Sequence, residues 1–268
     1  MCGITGFWSR TPLAPDVARA RLEAMRDAIR HRGPDDAGTW INGNIAFGHR
    51  RLSIVDLSPL GHQPMASPDG RFTICYNGEV FNFQSLRDEL ASRGHPFRGG
   101  SDTEVMLAAF AEWGVVAALQ RFVGMFAFSV WDAKESTLHL ARDRLGIKPL
   151  FVGRTPGGDL LFGSELKALM TYPSFERRID PDAVVQYLRY SYVPSPKSIF
   201  TSAMKLPPGH VLSLKDPGAP WRSEAFWSLE AVALEGQAAP FTGSAAEAMN
   251  ALDALTPNPV AQNLKPKT

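Results

Sequence analysis

Met125-Phe126-Ala127-Phe128, followed by Val130 and Trp131, is apolar on both faces of an extended chain. A strand of that kind has to be covered on both sides, which demands stacked layers rather than a single sheet facing water. A turn and a second strand through Leu138 and Leu140 follow it, and the segments around Leu150 to Val152 and Leu160 to Phe162, joined through Pro156-Gly157-Gly158, read as a hairpin. Gly3 to Trp8 reads as a first strand, Ile45 to Val55 as one long or two broken strands, and His210 to Leu214 as a last one. Phe72, Ile74 and Tyr76 alternate with Thr73 and Cys75, the pattern of a half-buried strand.

Helical stripes lie between these strands. Asp16 caps one that carries Ala18, Leu22, Met25 and Ile29 at helical spacing. Asn82 opens another with Leu86 and Leu90, Asp102 opens a third with Met106, Phe110 and Trp113, and a later one carries Val184, Val185 and Leu188. Hairpins with helices interspersed predict an α+β fold of antiparallel sheets packed on each other, with helices outside.

Several function classes are set aside by what the chain lacks. A formal net charge of +1 offers no basic stripe for a nucleic acid. Two cysteines, Cys2 and Cys75, make no disulfide framework for 268 residues and point to the reducing cytoplasm. The first residues mix Trp8, Ser9, Arg10 and prolines rather than forming the apolar run of a signal peptide, and every apolar stretch breaks well before bilayer length. The histidines sit at no metal-ligand spacing, and Gly99-Gly100 and Gly157-Gly158 lack the Lys-Ser/Thr of a phosphate loop.

What remains is the start of the chain, Met1-Cys2-Gly3-Ile4-Thr5-Gly6. A small second residue lets a methionine aminopeptidase remove Met1, which would put a thiol and a free α-amine on one carbon. The α-amine has a reference pKa of about 7.7–8.0, so near neutral pH a usable fraction accepts the thiol proton. That is a nucleophile carrying its own base. The competing reading takes Cys2 as one more small apolar residue opening a strand.

The order of motifs decides between them. Cys2-Gly3-Ile4, His31 to Asp35 (HRGPD), His49 to Asp56 (HRRLSIVD), Gln63-Pro64-Met65, Tyr76 to Asn82 (YNGEVFN) and Ser101 to Glu104 (SDTE) occur in sequence. They are followed by Gly124 to Phe128 (GMFAF), Arg142 to Leu150 (RDRLGIKPL), Ser164 to Leu169 (SELKAL), Tyr192 to Pro196 (YVPSP) and Lys205 to His210 (KLPPGH). Taken together these resemble the N-terminal glutaminase half of glutamine-dependent asparagine synthetases, a class II glutamine amidotransferase. The resemblance implies a four-layer αββα Ntn-hydrolase sandwich of antiparallel sheets flanked by helices.

It also implies a chemistry, carried over position by position. Cys2 attacks the side-chain amide of glutamine; Asn77, through its amide, and Gly78, through its backbone N–H, hold the oxyanion. Arg51 takes the α-carboxylate of glutamine in bidentate fashion, Glu79 with Asp102 takes the α-ammonium, and backbone groups of Leu52, Ser53, Ile54 and Val55 line the pocket. His31 to Asp36 resembles a loop that closes over bound glutamine. Blander roles compete: Asn77-Gly78 alone reads as a hairpin turn and Asp102 as a helix cap. Cys75 reads as a buried structural thiol, and Arg142, Asp143, Arg144 and Lys148 as a structural ion-pair loop.

A full synthetase of this kind continues into an ATP-pyrophosphatase domain marked by an SGGxDS-type loop, and that loop is absent. The expectation is therefore a truncated or split synthetase, with a glutaminase domain at residues 2–215. Residues 216–268 would be a linker and the truncated start of the synthetase domain, ending in a disordered tail. Implied partners are L-glutamine and a separately encoded synthetase domain, without nucleic acid or membrane. An apolar patch around Val193 to Gly209 would promote association, a homodimer included. No cofactor is implied for glutamine hydrolysis, since ATP and Mg belong to the missing domain. A non-catalytic remnant, a docking subunit of a split synthetase, and an amidotransferase half for a different acceptor stay open beside this reading.

Overall fold

The doubly apolar run is Gly124–Asp132 (β6), an interior strand in the computed structural model, which describes residues 1–53 and 58–255. It pairs with Phe72–Val80 (β5) and Thr137–Arg142 (β7). Met65–Ala66 (β4) on one edge, with His210–Leu214 (β11) and Ser223–Ala225 (β12) on the other, completes a six-stranded antiparallel sheet. A second six-stranded antiparallel sheet runs in the spatial order Ala203–Lys205 (β10), Phe151–Arg154 (β8), Leu160–Gly163 (β9), Gly3–Trp8 (β1), Ile45–Arg51 (β3) and Asp36–Asn42 (β2).

Side-chain alternation along each strand then distributes the core into separate layers. Phe126, Phe128 and Val130 point to one side of β6, where they pack with Phe72, Ile74, Phe110 and Phe122 under the helices Phe83–Ser92 (α2), Asp102–Trp113 (α3) and Val115–Arg121 (α4). Ala127 and Trp131 point to the other side, into a core shared between the sheets with Ile4, Phe47, Leu140 and Phe162. On the far face of the second sheet, Phe7, Ala46 and Leu161 are covered by Pro15–Asp27 (α1) and Leu166–Met170 (α5) through Leu22, Met25 and Leu169. Helix, sheet, sheet, helix is the resulting order. Removing from water one phenylalanine of such a core is worth about 1.5–3 kcal/mol, which is why both faces of β6 have to be filled.

Several local expectations are corrected. The strand through Ile74 is buried on both faces rather than half-buried, since Cys75 lies in the inter-sheet core. Asp16 does not cap α1: Pro15 starts that helix, Ala14 precedes it without a side-chain cap bond, and Asp16 sits in the first turn. Ser101, not Asp102, caps α3 through its hydroxyl. The ion-pair loop dissolves as well. Asp143 spends its carboxylate on the backbone N–H groups of Phe126, Leu145, Ile147 and Lys148. The Arg142 guanidinium donates to the carbonyls of Lys148, Gly146 and Leu206.

Large exposed apolar side chains fall just before the Val193 to Gly209 stretch rather than within it: Val185, Tyr187, Leu188 and Tyr190 of Pro181–Tyr190 (α6), then Tyr192. The sheet itself runs on through β12, and Phe226 stacks on Phe126 with ring centroids 6.4 Å apart. The helices Leu229–Ala238 (α7) and Ala245–Leu255 (α8) bury no residue. The tail expected to be disordered, 256–268, lies outside the described residues. No helix among the described residues is long and apolar enough to cross a membrane.

Candidate functional site

Gly3 faces Arg50 on the last rung of the β1–β3 ladder, and just beyond it the Cys2 side chain meets the backbone of Leu52. The Leu52 amide donates to Cys2 Sγ at 3.4 Å, and the thiol donates to the Leu52 carbonyl at 3.5 Å. Burial pushes the thiol up, against the Leu52 bond and the positive charges of the chain terminus, Arg51 and Lys148. Behind the sulfur, Arg32 Nε donates to the Cys2 carbonyl at 2.9 Å while its Nη1 donates to Glu165 at 2.9 Å. His31 and Lys167 join the same carboxylate at 2.9 and 3.0 Å. Burial works to raise Glu165, but these three partners hold it down at about 2.

Cys2 opens onto a cavity of about 110 Å³. That is room for a small polar ligand, well below the several hundred Å³ typical of drug-sized sites. Its walls include Arg51, Leu52, Asn77, Gly78, Glu79 and Asp102, so the structure brings these together with Cys2. Ser53 is placed apart, its amide donating to Asp35 at 2.9 Å. Ile54 and Val55 lie outside the described residues. Residues 31–36 do not wall the cavity; Asp36 is instead held by His62 Nδ1 at 2.7 Å.

Asn77 and Gly78 form no turn: both lie within β5, opposite Ala127 and Phe126. Because side chains alternate, Asn77 shares its face with the inter-sheet Cys75, and the Asn77 Nδ2 is buried without a hydrogen-bond partner among the described residues. An unpaired buried amide costs roughly 1–3 kcal/mol, so this donor is available to an acceptor in the cavity. Gly78 is dictated by close approach, since a Cβ there would stand 2.3 Å from the Met125 carbonyl oxygen of β6. Arg51 is buried and donates through Nη1 to the Ser58 carbonyl at 3.0 Å. Gly61 lies against its guanidinium, where a Cβ would come within 2.1 Å of Nη2.

Asp102, freed from capping by Ser101, accepts from the Tyr76 hydroxyl at 2.7 Å and from the Val80 amide at 3.0 Å. Burial raises its carboxyl to about 6, with those two bonds pulling the other way. The folded value lies above the unfolded one, so the fold favours the protonated acid, and stability falls as pH rises from about 4 through about 6. Asp102→Asn is therefore expected to raise the melting temperature at neutral pH, by up to the order of 3 kcal/mol in stability, and to lose that gain in acid. Thermal unfolding followed across pH checks it.

Sequence reasoning missed part of the wall. Gln63 accepts from the Tyr76 amide at 2.6 Å and reaches Thr103, and Lys148 brings a buried ammonium to the cavity. The fragments containing them were visible, but nothing in their spacing says that they meet. His49, in the HRRLSIVD segment, is buried and held neutral: burial pushes it down to about 4, and its Nε2–H donates to the Tyr76 carbonyl at 3.0 Å.

Comparison with known proteins gives this geometry its context. Residues 1–227 match the family model described as a glutamine amidotransferase domain. The chain is 38% identical over 234 residues to asparagine synthetase [glutamine-hydrolyzing] 3 of Bacillus subtilis, an alignment covering 86% of this chain and 37% of that protein. It is 37% identical over 219 residues to asparagine synthetase [glutamine-hydrolyzing] 1 of the same organism, covering 81% and 34%. The chain thus spans about a third of the length of these curated relatives. Among solved structures, the B. subtilis glutamine phosphoribosylpyrophosphate amidotransferase complexed with ADP and GMP superimposes with a TM-score of 0.63 at 21% identity, over 84% of this chain and 49% of that one. That likeness shows the same fold, two antiparallel sheets packed between helices.

Proposed function

We propose that this chain, which belongs to the glutamine amidotransferase domain family, releases ammonia from glutamine through a thioester on Cys2, as the ammonia-supplying half of a glutamine-hydrolysing asparagine synthetase. The observation that carries the reading is the buried, unpartnered amide of Asn77 in the wall of the cavity onto which Cys2 opens.

With Met1 removed, the α-amine of Cys2 takes the thiol proton as Sγ bonds to the δ-carbon of glutamine, and the carbonyl π pair moves onto oxygen. Asn77 Nδ2 and the Gly78 N–H receive that charge. When the carbonyl re-forms, the C–N bond breaks and the proton held on the α-amine leaves with ammonia. Water then attacks the thioester, glutamate departs and the thiol is restored. Arg51 holds the α-carboxylate of the substrate, and Glu79 and Asp102 its α-ammonium. Of the backbone groups expected to line the pocket, Leu52 does so in this reading, while the Ser53 amide is given to Asp35. Every step draws on this chain and water and calls for no cofactor; ATP and Mg²⁺ serve the acceptor-activating part of a synthetase.

The exposed apolar side chains of α6 support docking of this domain on such a synthetase part, and two unpaired cysteines suit a reducing compartment such as the cytoplasm. The test is the purified chain, shown by intact mass to lack Met1, incubated with glutamine. Glutamate and ammonia in equal amounts are expected. A processed chain that leaves glutamine untouched, or a chain that keeps Met1 in its producing cells, overturns the proposal.

A further inference from the structure

Lys148 is buried and yet has no carboxylate partner among the described residues. Asp143, the acid nearest to it in sequence, accepts its backbone N–H at 2.9 Å and is otherwise occupied by the amides of Phe126, Leu145 and Ile147. A buried ammonium that no carboxylate bonds directly, with Asp143 and Glu79 acting on it only from a distance, is costly and needs a reason. Its Nζ instead lies 3.5 Å from the thioether sulfur of Met1, a weak acceptor, inside the cavity onto which Cys2 opens. The neighbour of this cation is therefore the one residue whose removal creates the terminal amine.

We propose that Lys148 is an electrostatic positioning residue for the N-terminal cysteine: once Met1 is gone, its ammonium stands beside the coupled thiol and α-amine of Cys2 and makes that pair shed its first proton at lower pH. The inference rests on the reading of Cys2 as nucleophile and adds the residue that tunes it. A positive charge disfavours the protonated amine and favours the thiolate, so the pair loses a proton more readily whichever of the two groups gives it up. The other charges facing the pair come from every neighbouring element. Arg32 holds the Cys2 carbonyl from the turn after α1, Arg51 stands on β3, and Glu79 on β5 and Asp102 on α3 wall the same cavity. Burial lowers the Lys148 ammonium and Arg32 lowers it further, while Asp143, Cys2 and Glu79 work to raise it.

The experiment follows alkylation of Cys2 by iodoacetamide against pH in the Met1-free protein, with peptide mapping to separate it from the fully buried Cys75. In Lys148→Met the midpoint is expected to move up by about one unit, and Lys148→Arg to keep most of the wild-type value. Lys148→Gln, which keeps a polar head, repeats the shift if the methionine variant folds poorly. Superimposable midpoints in wild type and the folded neutral variant would overturn the proposal. The shift without glutaminase activity in the wild type sinks the functional reading and leaves this one standing; activity without the shift does the reverse.

Discussion

Cys2→Ala is expected to reduce glutamine hydrolysis to background, a loss of at least about three powers of ten, with the fold unchanged. The side chain is half-buried at the start of β1, and its bonds to Leu52 are long sulfur contacts, so deleting the sulfur costs little packing. Nothing else in the cavity replaces it. Cys75, the only other thiol, is fully buried in the inter-sheet core, and burial pushes it well above an ordinary cysteine. A coupled glutamate assay on wild type and variant, with circular dichroism on both, checks this. Residual activity within tenfold of wild type would show that the reaction runs elsewhere. Trapping is a second readout: acid-quenched wild type with glutamine should carry the glutamyl mass on Cys2, and the alanine variant should not.

Asn77→Ala should lower kcat by about two to three powers of ten while leaving KM nearly unchanged. Its Nδ2 has no partner among the described residues, so in the resting protein it stabilises little; in the proposed reaction its bond forms only when the carbonyl oxygen becomes negative. For the same reason the variant should melt at or slightly above the wild-type temperature, since an unsatisfied buried donor disappears. A rise in KM of the same size as the fall in kcat/KM, with kcat intact, would instead make Asn77 a ground-state binding group. Steady-state kinetics alongside thermal unfolding separate the outcomes.

How far the sequence could be read depended on range. The layers were legible because apolarity on both faces of Met125 to Trp131 leaves a strand no choice but to be sandwiched. The thiol and the Arg51, Asn77 and Asp102 positions were legible through ordered motifs that resemble a family. Local capping was not, since Asp16 and Asp102 have the chemistry of caps while Ala14 and Ser101 hold the position. The role of Asp102 depends on a hydroxyl from Tyr76, 26 residues away. Lys148 was misread for a similar reason: beside Arg142, Asp143 and Arg144 it looks like a partner for acid, but Asp143 is consumed by backbone amides. Only three-dimensional proximity to Met1 reveals where that ammonium goes.

The division of the site between layers has one more consequence. In the proposed reaction the attacking sulfur comes from Cys2, just ahead of β1 of one sheet, and the oxyanion donors Asn77 and Gly78 from β5 of the other, so no single element carries both ends. Their separation is gauged by the filling between the sheets, Ile4, Cys75, Ala127 and Leu140 among it. The thickness of this apolar slab works as a calliper for the reacting atoms, and side chains that never touch glutamine help to decide how closely sulfur and carbon can meet.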